Sequence, residues 1–105
     1  MRDFFAVNLT AENVNFIPES KGIFIIANSS SYKANKLPLF FIHIATTDNF
    51  KKAAIEFMNT YKSYKDYDLI FGFQSYDDME QAKEKSKRLL EQYHRDLPNL
   101  TFVQK

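Results

Sequence analysis

The stretch Gly22-Ile23-Phe24-Ile25-Ile26-Ala27 limits most severely what this chain can become. It is apolar from end to end, and its β-branched and aromatic side chains suit an extended backbone. Successive side chains of a strand point to opposite faces, so a strand of this composition has to be covered on both. Pro18-Glu19-Ser20-Lys21 ahead of it reads as a loop, and Gly22 permits a tight turn into the strand.

The other elements follow from hydrophobic period. Phe4 to Leu9 alternates in part and reads as a first strand with Asn8 facing out; Thr10 to Asn15 reads as a turn or short helical stretch. A third strand spans 39–45. Thr47 and Asp48 then offer oxygens to cap a helix. Phe50, Ala54, Phe57, Met58 and Tyr61 fall at spacings of three and four, which predicts a helix over 49–63. Lys51, Lys52, Glu56 and Lys62 lie mostly off that stripe. A fourth strand covers 68–74, with Leu69, Phe71 and Phe73 on one face and Ile70 and Gly72 on the other. Gly72 inside it suggests a bulge or the close approach of another backbone. Ser75 and Asp78 approximate a capping box for a helix over 76–95. The acids Asp77, Asp78 and Glu80 suit its start, and His94 and Arg95 its end. Its apolar stripe is Met79, Ala82, Ser86, Leu89, Leu90 and Tyr93, and Leu100 to Val103 add a short edge strand. The expectation is one α+β domain over residues 1–105, a small, mainly antiparallel sheet flanked by two main helices.

Composition excludes several classes. There is no cysteine, hence no disulfide and no thiolate metal site, and the two histidines lie far apart in sequence. A net charge of +1 predicts no strong global pull toward nucleic acid or anionic membrane. No apolar run reaches the ~20 residues that span a bilayer. The start, MRDFFAVNLTAENV, lacks the apolar core of a secretory signal, so no membrane partner and a cytoplasmic location are expected.

Gly22-Ile23-Phe24, His43-Ile44-Ala45 and Asn49-Phe50-Lys51-Lys52-Ala53, with Pro18 ahead and Pro98-Asn99 after the last helix, form a pattern over roughly residues 18–100. It resembles the GIY-YIG nuclease domain, whose strands carry Gly-Ile-Tyr and Tyr-Ile-Gly and whose first helix carries Asn-Leu-x-x-Arg. The resemblance implies a phosphodiester-cutting site made of two tyrosines, that arginine and a metal-binding glutamate on the last helix. Here those positions hold Phe24, His43, Ala53 and, at or near the glutamate, Ser86. Of these only His43 can move a proton. Hydrolysis without a cation for the phosphate charge and a carboxylate for the metal loses its main electrostatic stabilisation. The implied protein is a degenerate nuclease fold with no catalytic residue retained.

A lone histidine among apolar strand residues is more often structural than catalytic, and nothing in the sequence nominates a partner to orient it. Ser86 fits a back-bonded helix serine. Glu80 and Glu84 stand one turn apart, but Lys83 and Lys87 make a solvated charged face the better reading; no metal ligand set and no cofactor are expected. The segment from 32 to 65 is biased instead toward lysine and tyrosine. Lys33, Lys36, Lys51, Lys52, Lys62 and Lys65 outnumber Asp48 and Glu56, with Tyr32, Tyr61 and Tyr64 interleaved. Lysines on a phosphate backbone and bases on aromatic rings give sequence-tolerant binding. The leading expectation is a non-catalytic GIY-YIG-like module that binds DNA or RNA weakly through Tyr32, Lys33, Lys36, Lys51, Lys52, Lys62, Tyr64 and Lys65. The alternatives are a protein-interaction or inhibitory module, from a mobile element for example, and a residual metal-dependent nuclease using His43.

Overall fold

A computed structural model describes residues 4–28, 41–60, 68–92 and 99–103 of the chain. The elements run β1 (Phe4–Asn8), a 3-10 turn (Asn13–Phe16), β2 (Gly22–Asn28), β3 (Phe41–Thr47), α1 (Phe50–Thr60), β4 (Leu69–Ser75), α2 (Met79–Gln92) and β5 (Leu100–Phe102). The strands form one mixed sheet in the order β3-β2-β4-β1-β5. The pairs β2–β3, β2–β4 and β1–β4 are antiparallel, and β5 lies parallel to β1 at the far edge. The α+β class, with its mainly antiparallel sheet and two helices, is as expected.

The apolar run predicted to need cover on both faces has it. Gly22 through Ala27 are all buried. Phe24 and Ile26 point to one face, where Phe50, Ala54 and Phe57 of α1 close a core with Val7, Leu69, Phe71 and Phe73. Ile23 and Ile25 point to the other, where Ala82 and Leu89 of α2 pack with Phe4. Each helix therefore covers one face. The α1 face is largely aromatic: Phe24 stacks on Phe71 at 5.4 Å, and Phe50 and Phe73 meet at 5.3 Å. Such pairs add roughly 0.5–1.5 kcal/mol beyond the area they bury.

Several boundaries moved for identifiable reasons. The third strand continues to Thr47, because Thr46 and Thr47 still pair with Ile23 and Gly22. The cap of α1 is Asn49 in place of Thr47 or Asp48: its Oδ1 accepts the Lys52 N–H at 3.0 Å. The Thr47 hydroxyl instead accepts the N–H of Asn49 itself at 3.2 Å. In α2 the cap is Asp78, whose Oδ1 accepts the Glu80 N–H at 2.9 Å. Ser75 is still paired in β4, opposite Gly22, so the helix starts at Met79 and not at 76. Leu90, placed on the apolar stripe of α2, is 45% exposed, since Ala82 and Leu89 occupy the narrow line that touches the sheet. Residues 61–63 and 93–95 of the predicted helices, and 39–40 of the predicted third strand, lie outside the described residues.

Gly72 is neither a bulge nor a place where backbones meet. The β2–β4 register runs through it without a break, and it faces Ile25. A Cβ there would stand 2.8 Å from the Ile25 Cγ1, so the glycine makes room for a side chain. The irregularity in the sheet falls between Ile26 and Ala27, against β3. Gly22 is the glycine with an unusual backbone, at φ 152°. A Cβ on it would meet the Gln74 carbonyl.

Candidate functional site

The concave surface of interest lies between α1 and the edge strand β3. Phe24 of β2 contributes to its lining, together with His43, Ala45, Thr46 and Thr47 of β3. Its other wall is α1, through Ala53, Glu56, Phe57 and Thr60, residues spaced to share one helix face. The volume is about 330 Å3, at the small end of the range for ligand pockets, roughly 300–1,000 Å3.

Local structure explains each position. Phe24 and Ala45 face each other across the β2–β3 ladder, and His43 pairs with Ile26 one step along the same face. The His43 ring is exposed and rests against Phe24, with centroids 5.4 Å apart and planes at 45°. Phe24 is 6% exposed and continues the aromatic row inward to Phe71. His43 is thus the open end of a stack that begins in the core. Among the described residues neither the His43 nor the Glu56 side chain has a hydrogen bond or an ion pair.

Three of the positions that match the nuclease motif, Phe24, His43 and Ala53, line this groove. Ser86 does not. It lies between Ala82 and Leu89 on the α2 stripe, which packs against the opposite face through Ile23 and Ile25. The sheet therefore separates Ser86 from the other three. Its hydroxyl donates to the Lys83 carbonyl at 2.8 Å, the back-bonded state expected of it. On the same helix Glu80 lies 3.9 Å from Lys83 and Glu84 3.3 Å from Arg88, so those carboxylates form an exposed charged face.

A helix N-terminus can bind phosphate through its free amides. At α1 those amides are all engaged. The Asn49 N–H goes to the Thr47 hydroxyl, Phe50 to the Ser20 carbonyl at 2.9 Å, Lys51 to the Pro18 carbonyl at 3.2 Å, and Lys52 to the Asn49 side chain. The loop through Pro18 that precedes β2 thus clamps the start of α1. The groove lining carries one carboxylate, that of Glu56, and no lysine or arginine. This arrangement offers aromatic surface, hydroxyls and a hydrogen-bond acceptor, and no lysine or arginine for a phosphate.

The lysines are distributed differently. Lys52 is exposed and Lys51 half-buried on α1; neither lines the groove, and neither has an ion pair among the described residues. Tyr32, Lys33, Lys36, Lys62, Tyr64 and Lys65 lie outside the described residues. Glu56 is exposed and Phe57 lies in the core, as their places on the helix predict; together with the exposed Thr60 they also line the groove. Their common spacing with Ala53 was the available signal, but helical period alone does not tell which flank faces an open strand edge. Among the described residues no helix is long and apolar enough to cross a membrane. Comparison of the chain with protein-family models, with curated proteins and with solved structures found no match.

Proposed function

We propose that this chain is a GIY-YIG-like domain without the cutting chemistry, which works in the cytoplasm as a weak, sequence-tolerant nucleic-acid-binding module. One observation supports this above the rest. The positions matching the family's two tyrosines and its helix arginine come together at one groove, as Phe24, His43 and Ala53, beside a carboxylate and without a lysine or arginine. A cleft of that lining cannot neutralise a pentavalent phosphate. It can still hold the non-phosphate parts of a nucleic acid while lysines outside it, Lys52 among the described ones, engage the backbone.

The test is fluorescence anisotropy with labelled single- and double-stranded DNA and RNA. Micromolar or weaker affinity that declines as salt is raised is expected. Absence of binding to all of them at low salt discards the reading. Incubation with magnesium or manganese should leave plasmid DNA uncut; metal-dependent nicking that His43→Ala abolishes would revive the residual nuclease.

A second reading, a protein-interaction or inhibitory module, is favoured by the large apolar side chains at the surface: Phe5 is 50% exposed, Phe16 40% and Ile55 41%. It predicts a stoichiometric protein partner whose recovery nuclease treatment does not change.

A further inference from the structure

On the reading that the chain binds nucleic acid, we propose that the groove between β3 and α1 receives one unstacked nucleobase bearing an exocyclic amino group, and that Glu56 accepts a hydrogen bond from that amine. Cytosine, adenine and guanine qualify; uracil and thymine do not.

The chemistry of the lining leads there. The groove presents one exposed aromatic ring, His43, which rests on the buried Phe24 at 5.4 Å, and it is bordered on α1 by the buried Phe57. Bases stack on such rings irrespective of their identity. The volume of about 330 Å3 suits a small planar ligand better than a peptide. The lining has the Glu56 carboxylate and no lysine or arginine, so a phosphate is disfavoured and an N–H donor favoured. A carboxylate is acceptor only, and it pairs with amino groups such as the cytosine N4. The Glu56 carboxylate is not committed elsewhere among the described residues, where it has neither hydrogen bond nor ion pair. Lys52, one helical turn before Glu56, is exposed and makes no ion pair with it. It places a cation at the rim, outside the lining. That order, acceptor inside and cation outside, matches a nucleotide entering base first with its phosphodiester at the rim. It is unfavourable for an arginine or lysine side chain, which Lys52 would repel on approach.

The experiment has two arms on the full chain. In the first, cytidine and uridine are titrated into labelled protein while the His43 ring and the Thr47 and Thr60 signals are followed by NMR. Cytidine should shift them and uridine should do so far less. In the second, oligocytidylate and oligouridylate of about ten nucleotides are compared by anisotropy at low salt. The wild type should prefer oligocytidylate about fivefold, as one charge-assisted hydrogen bond at an open site would give. Glu56→Gln should erase the preference, because an amide can also donate to the uracil O4. Glu56 is exposed, so that variant should melt with the wild type; the melting curve checks it. Equal affinity for both oligomers in the wild type, or a preference that survives Glu56→Gln, overturns the base pocket and leaves nucleic-acid binding standing. Cytidine shifts at the groove without binding of either oligomer support the pocket and overturn the nucleic-acid reading. Groove shifts with N-acetylarginine amide and none with cytidine overturn the proposal in favour of a protein side chain.

Discussion

Gly22→Ala provides the most stringent test of the architecture, because the glycine stands where three elements meet. It opens β2, pairs with Thr47 of β3 and with Ser75 of β4, and sits at φ 152°. An L side chain in that backbone region costs roughly 1–3 kcal/mol. The added Cβ also meets the Gln74 carbonyl and stands 2.9 Å from the Phe50 ring. Neither can retreat easily: the carbonyl belongs to a paired strand, and Phe50 is fully buried. Overpacking of this kind costs about 1–3 kcal/mol. A less flexible unfolded chain returns about 0.4–1 kcal/mol. The net loss is about 1–6 kcal/mol, against a total of roughly 5–15 kcal/mol for a domain of this size. Urea unfolding should show the midpoint falling with the slope unchanged. Gly72→Ala is the internal comparison. Its backbone is ordinary and its obstacle is the Ile25 side chain at 2.8 Å. In a double-mutant cycle Gly72→Ala with Ile25→Ala should cost less than the sum of the single changes, because removing the obstacle relieves the clash. A loss below about 1 kcal/mol for Gly22→Ala would refute the strained-backbone reasoning.

Other outcomes follow from the same geometry. Asn49→Ala should destabilise by about 1 kcal/mol in chemical denaturation, with Asn49→Asp near neutral, since the Lys52 N–H needs only an oxygen at that cap. Ser86→Glu should not create magnesium- or manganese-dependent nicking, even combined with His43→Tyr and Ala53→Arg, because position 86 lies across the sheet from the groove; cleavage by the triple variant would contradict that placement. If nucleic acid binds, Lys52→Ala should lower the salt slope of log affinity by about 0.7–0.9, whereas Lys87→Ala on α2 should leave it unchanged. Glu84→Gln should alter stability by less than about 0.5 kcal/mol, as its ion pair with Arg88 is exposed.

Much of the fold was legible in side-chain period. The unbroken apolar run of β2 demanded cover on both faces, and the alternation of Leu69, Phe71 and Phe73 against Ile70 and Gly72 assigned β4 its two faces correctly. Cap identity was less legible. Thr47, Asp48 and Asn49 all carry suitable oxygens, and the choice fell to Asn49 because β3 pairs as far as Thr47 and holds that residue in the ladder. Likewise Ser75 could not cap α2 while its backbone paired with Gly22.

For the candidate site, local pattern could align Phe24, His43 and Ala53 with a motif but could not bring them together. The β2–β3 register did so, together with the clamp of the Pro18 and Ser20 carbonyls on the start of α1. The same pattern aligned Ser86 with them, and the sheet set it apart. Spacing along a chain reports which face of its own element a residue occupies. It carries no information on which face of the sheet that element will cover. The residue types alone thus determined that the positions aligned with the nuclease motif hold no tyrosine, arginine or glutamate; the packing of α1 and α2 on opposite faces decided that Glu56 and Thr60, and not Ser86, share the groove with His43.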